Sequence, residues 1–163
     1  MRKLLLTFLL CTLIFSFGGC NAASSTTKKD IIFGLNETAN VKASYGDYSL
    51  TITDVKESFN KNEFADSQPQ RIIIVDYKYE NINCTQDITV SYLYFKAYDS
   101  KGSLLEVYPS TEVKNPSNIS AGGNHSASIA YGLNNDENSI KLKFYNVDYS
   151  NMSKPYCTFE LSW

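Results

Sequence analysis

One imidazole, two cysteines beyond residue 20 and a short run of oxygen-rich side chains are what this sequence offers for chemistry. His125 is the only histidine, so any Ser–His or Cys–His pair would have to use it. It follows Gly122-Gly123-Asn124 at a predicted strand start, where a loop-edge residue is the ordinary reading. Asp54, Glu57, Glu63 and Asp66 could pair as acid and base, but they fall in a stretch rich in Lys and Asn that reads as solvated. Asn134-Asn135-Asp136-Glu137-Asn138 concentrates hard oxygen ligands suited to calcium without the spacing of a calcium loop, and it equally reads as a hairpin turn. No phosphate loop or metal motif is present. No nucleophile–base–orienter set is in view, so the expectation is a non-enzyme with no catalytic residue, no metal and no cofactor.

Two constellations point to binding or bracing instead. Tyr92, Tyr94 and Tyr98 have the parity opposite to Phe95 and Ala97 and so project from the outer face of a strand, where Tyr108 can join them. Exposed tyrosines mark interfaces, which makes these four a candidate binding face. The alternative is that a second layer, or the Phe59–Phe64 loop, covers them. Cys84 and Cys157 are candidates for a disulfide: Cys84 follows the strongest apolar strand, and Cys157 shares parity with Phe159, Leu161 and Trp163. The other reading is two free thiols.

The elements that must position these residues are strands. Apolar and polar residues alternate with period two along Tyr48–Thr53, Ile73–Glu80, Phe95–Tyr98, Ser126–Leu133, Ile140–Tyr145 and Cys157–Trp163. Asp99-Ser-Lys-Gly102 is a turn with Asp first and Gly last, joining Tyr92–Tyr98 to Leu104–Tyr108 as a hairpin. The 12 Tyr and 9 Phe suit pleated, half-buried surfaces. Seven or eight short strands predict an all-β, antiparallel β-sandwich over residues 40–163, with a small barrel as the competitor. Ile73, Val75, Tyr77, Phe95, Ile129, Leu142 and Phe144 are its predicted core.

The chain opens Met1-Arg2-Lys3 and then runs apolar for 14 residues, Leu4 to Phe17. A membrane-spanning helix needs about 20. A basic start, a short apolar run and small residues before a cut site describe a secretory signal. Phe17-Gly18-Gly19-Cys20 resembles the lipobox of bacterial lipoproteins, with Phe17 where Leu is usual. That resemblance implies cleavage after Gly19 and a diacylglyceryl group on Cys20, and two acyl chains give stable anchoring. Residues 1–19 are then a lipoprotein signal peptide, and residues 20–39 the lipidated cysteine and a flexible tether. Cutting before Cys20 leaves 144 of the 163 residues, enough for one domain with a real core. It also removes two of the 15 basic residues and leaves 17 acidic ones, a net charge of −4 that argues against nucleic acid.

The stretch from about residue 40 to 146 resembles the Ig-like bacterial family known as domain of unknown function 4352. The match is carried by Gly46 before the Tyr48–Val55 strand and by the Ile72–Glu80 strand ending at Asn81. It continues through Phe95-Lys-Ala-Tyr-Asp99-Ser-Lys-Gly102 with Tyr108, and Ala121-Gly122-Gly123 before the strand from His125. The resemblance implies an Ig-like fold, often behind a lipobox, and no agreed activity. The combined expectation is a lipid-anchored, extracytoplasmic module of the bacterial cell envelope. It would meet the membrane through Cys20 and bind an envelope protein or a wall component. The rivals are an accessory small-ligand-binding lipoprotein of an export or uptake system, and a small envelope enzyme.

Overall fold

A computed structural model describes residues 31–145 and 154–163. The signal, Cys20 and most of the tether lie outside the described residues. Eight strands form: β1 (Ile32–Phe33), β2 (Thr38–Ala43), β3 (Gly46–Ser58), β4 (Arg71–Asn81), β5 (Phe95–Tyr98), β6 (Asn124–Leu133), β7 (Ser139–Phe144) and β8 (Cys157–Ser162). They make two four-stranded sheets in the orders β1-β8-β7-β5 and β2-β3-β4-β6. The architecture is the all-β sandwich that the alternation predicts. All pairings are antiparallel except β1 with β8, which is parallel. β1 and the first residues of β2 lie within the stretch assigned to the tether, so the folded body begins by Ile32 rather than at residue 40. The reason is burial: Ala39 and Val41 face the core, and Phe33 packs on Phe159 with ring centroids 5.6 Å apart.

Side chains of alternate parity meet between the sheets. All seven predicted core residues are buried there, among them Tyr77, Phe95 and Phe144, whose rings touch in sequence at 5.1 Å. A separate, smaller cluster lies on the outer face of β4 and β6: Ile72, Ile74, Ala130 and Tyr108, with Ala65 and Val113 against them. The predicted hairpin forms only in part. A 3₁₀ turn takes up Tyr92–Tyr94, leaving Phe95–Tyr98 as strand. Leu105 donates to the Ala97 carbonyl at 2.8 Å, after which the chain crosses to the other sheet, where Gly132 donates to Glu106 and Tyr108 to Ala130. One segment thus closes the edges of both sheets on that side, which suppresses pairing with foreign strands.

The strands give the molecule two ends. At the near end lie the β2–β3 turn, Asn81, Asn124, Cys157 and Ile31, whose carbonyl accepts from Thr158. At the far end lie Ser58, Arg71, Leu133, Ser139 and Trp163. Eleven-residue β4 connects them over roughly 35 Å. Fully buried Asn81 braces the near end: its amide donates to the Gln86 and Ile119 carbonyls and accepts from the Cys84 N–H. Gly46 adopts φ +132° there, and a Cβ on it would lie 2.6 Å from the Cys84 Cα, so both conformation and space require glycine.

The expected Cys84–Cys157 disulfide does not form; both cysteines are buried and free. Cys84 sits in the loop after β4, and its thiol donates to the Asp47 carbonyl at 3.3 Å. Cys157 opens β8 in the opposite sheet, paired with Phe144. Shared inward parity placed both thiols in the same core cluster, unbridged. Burial pushes the Cys157 thiol up to about 12.

Candidate functional site at the far end of the sandwich

The four tyrosines do not form one exposed face. Tyr92 is exposed, Tyr94 is buried and Tyr98 is half-buried, with the Lys143 ammonium 4.7 Å from its ring. The 3₁₀ turn breaks the alternation that would have aligned them. Tyr108 is buried under the loop that follows β3: its hydroxyl accepts from the Asn62 N–H at 2.6 Å and donates to the Asn62 carbonyl. His125 is at the near end, its Nε2 3.1 Å from the Asn115 carbonyl and its ring edge-on to Tyr79. The oxygen-rich run Asn134–Asn138 is not the hairpin turn the sequence suggests: β6 and β7 belong to different sheets, so the run crosses from one to the other, gathered around a guanidinium. Arg71 donates to the Glu137 carbonyl at 3.0 Å and to the Asn138 side chain at 3.0 Å, and makes a two-point pair with Glu57. That pair holds the Glu57 carboxyl below its usual range. Among the described residues no group of three or more His, Cys, Asp or Glu could hold a metal.

What the far end presents instead is a loop with a pinned backbone and unburied rings. Asn62 organises it: the side-chain oxygen accepts from the Phe64 N–H, the side-chain amide donates to the Pro109 carbonyl, and the Asn62 carbonyl accepts from Gln68 and Ala65. Ser58 and Asn60 both donate to the Glu112 carboxylate, which lowers its pKa. Lys61 donates to the Pro69 carbonyl at 2.8 Å. Ala65 turns inward onto the outer cluster, while Phe59 and Phe64 are each 87% exposed. A small hydrophobic residue is buried and two large ones are left in water, the reverse of what burial alone favours.

Beside this loop a cleft of about 490 Å³ opens between residues 67–69, the turn 99–106 and residues 132–135, where the chain leaves β6. Asp99 builds its wall: one carboxylate oxygen accepts from the Ser103 N–H at 2.7 Å and the other from the Asn135 amide. Glu137 clamps the same turn through the N–H and hydroxyl of Ser100. Lys101, Glu106, Ser67 and Asn134 line the opening. This offers charges of both signs, hydroxyls and amides to a polar ligand. It contains no imidazole or thiol, because His125 is at the opposite end and both described cysteines are in the core.

Phe59, Phe64 and Arg71 were not singled out in sequence as functional. The two phenylalanines sit outside any alternating run, so no parity says which way they face. Arg71 opens β4, and its partners in the 134–138 connection are more than 60 residues away.

The chain belongs to the DUF5067 family, a domain of unknown function, whose model matches residues 22–146. The motifs had suggested domain of unknown function 4352; the family that matches is DUF5067. No curated protein is a significant match. Among solved structures, the chain resembles the secreted protein MPT63 of Mycobacterium tuberculosis, with TM-score 0.63 and 13% identity over 82% of this chain and 99% of that one. It also resembles the yjhA protein of Bacillus subtilis, with TM-score 0.51 and 13% identity over 79% and 97%. Both likenesses concern the fold. Among the described residues no helix is long and apolar enough to cross a membrane.

Proposed function

We propose that this DUF5067 domain is a non-catalytic, extracytoplasmic binding module, held to the membrane by lipid on Cys20, that offers its far end to an envelope protein or a wall component. The observation that carries the reading is the pair of exposed rings, Phe59 and Phe64, on a loop whose backbone is fixed by Asn62, Tyr108 and Glu112. A rigid loop presents aromatic area at little entropic cost, and such rings are enriched at interface centres. Polarity supports it as well. The tether enters at Ile31, level with Thr158 at the near end, so an anchored domain carries the phenylalanines roughly 35 Å from its point of attachment. The secretory-type start of the chain and the secreted relative in fold agree with this side of the membrane.

A second reading rests on the cleft: a small polar ligand held by Lys101, Glu106 and Asn134, as an accessory protein for export or uptake would hold it. The two part in one experiment. The full chain is produced in a bacterial host, and its cross-linked partners and retention on purified sacculi are compared with those of Phe59→Ser/Phe64→Ser and Lys101→Ala/Glu106→Ala. Loss in the first variant alone supports the surface reading, and loss in the second alone supports the cleft. Retention unchanged in both overturns the far end as the site. Cys20→Ala tests the anchor separately: the protein should leave the membrane fraction or stay uncut, and unchanged fractionation would overturn lipidation.

A further inference from the structure

The edge of the larger sheet is open over half of one strand. β2 covers β3 only as far as Thr51, and the last hydrogen bond on that side runs from the Asn36 N–H to the Ile52 carbonyl. Asn36 takes a left-handed φ of 62°, and the chain before it belongs to the other sheet. Below Ile52 the strand bulges at Thr53, and residues 54–58 then pair with β4 on one side and with no described strand on the other. Such an edge is a template for a further strand.

We propose that the occupant is a second copy of this chain, paired antiparallel along residues 54–56 about a two-fold axis midway between the two copies of Val55. The charges select this partner and this register. Asp54 and Lys56 lie on the outer face, where Lys56 pairs with Asp76 at 2.9 Å; Val55 is in the core cluster, on the inner face. Opposed residues on neighbouring strands share a face, so a two-fold axis normal to the sheet must lie midway between the two copies of one residue. Centring on Asp54, Lys56 or Glu57 sets that charge against its own copy, which is destabilising. Centring on Thr53 requires positions 51 and 52, already taken by β2 and Asn36. Centring on Val55 sets Asp54 of each copy against Lys56 of the other. Asp54 stands across from Asp76 and makes no ion pair among the described residues; its own Lys56 is engaged with Asp76, so the second copy's Lys56 would bring a further cation to it. The same register carries exposed Phe59 toward the other copy's Leu35, which is 37% exposed. The two sheets become one eight-stranded sheet, an isologous contact. This pairing does not depend on the lipid anchor.

Three paired residues a side bury less than the roughly 1,200 Å² of a stable interface, so the association is weak in dilute solution and is best captured covalently. Full chains carrying Asp54→Cys and full chains carrying Lys56→Cys are produced separately and together, then oxidised mildly. Because a disulfide needs Cα atoms within about 7 Å, the mixture should give about tenfold more cross-linked dimer than either variant alone. Asp54→Lys in the Lys56→Cys chain should abolish the gain. Equal cross-linking of all three samples indicates collision and overturns the pairing. Dimer from Lys56→Cys alone indicates another register and overturns the charge argument. No dimer in any sample, or a cross-link to a different protein, overturns the second copy as occupant.

Discussion

The two faces of sheet β2-β3-β4-β6 are buried by different means. The inner face meets the other sheet, and its side chains alternate: Ile73, Val75 and Tyr77 on β4, and Tyr48, Leu50 and Ile52 on β3, where a bulge at Thr53 shifts the next inward residue to Val55. The outer face is polar over most of its extent, as Lys56, Asp76 and Ser128 show. It turns apolar only where Ile72, Ile74, Ala130 and Tyr108 gather under the 59–69 loop and the 104–117 segment. Three consecutive isoleucines, Ile72 to Ile74, cannot face one core from a strand. Their full burial requires a second layer, and the chain supplies it from its loops. A sheet-to-sheet core holds the fold together; a loop-to-sheet core positions the loop that carries Phe59 and Phe64.

That division predicts unequal responses to damage. Phe144→Ala opens the inner core beside Phe95 and should cost about 3–5 kcal/mol, enough to unfold much of the population, read as a drop in urea midpoint. Ile74→Ala should cost about 2 kcal/mol, because a loop can settle into the space more easily than a sheet can. If Ile74→Ala costs as much as Phe144→Ala, the two cores are one cooperative body. Tyr108→Phe removes the hydroxyl that both accepts from and donates to Asn62, and should cost about 1 kcal/mol. Its amide exchange should quicken in residues 60–66 and not in β4. Exchange that quickens equally in both would erase the distinction.

The smallest expected effect is electrostatic and lies on the polar part of the outer face. Burial works against the Asp76 carboxylate, but the Ser128 hydroxyl at 2.6 Å and the Lys56 ammonium together hold its pKa below the ordinary aspartate value. A depressed folded pKa contributes stability that is present above the unfolded value, about 3.9, and is lost as pH falls through the folded one. Denaturant midpoints measured from pH 5 down to pH 2 should therefore fall less steeply for Asp76→Asn than for the parent. Parallel curves would mean that the Lys56–Asp76 pair adds nothing, as exposed pairs often do.

Alternation is a local property, and what it governs was legible: which segments are strands, which parity is buried, and that a sandwich results. The Asp99–Gly102 turn was equally legible, since Asp99 and Gly102 act within a few bonds of themselves, with the Gly102 N–H donating to the Asp99 carbonyl at 3.0 Å. The candidate site was not legible, because each of its parts is defined by a distant partner. Tyr108 reads as an outer-face tyrosine until Asn62 closes over it, and Asn134–Asn138 reads as a cation loop until Arg71 enters it.

By itself, then, the sequence determined an all-β chain with a period-two core. Its 15 basic and 17 acidic residues also left no basic excess for a polyanion. Only the tertiary structure decided that Cys84 and Cys157 stay unbridged, that the tyrosines scatter, and that Phe59 and Phe64 stand in water beside a polar cleft. The reason is physical. Parity says which face a side chain takes, but strand order and loop closure decide what lies across that face, and these follow from contacts tens of residues apart.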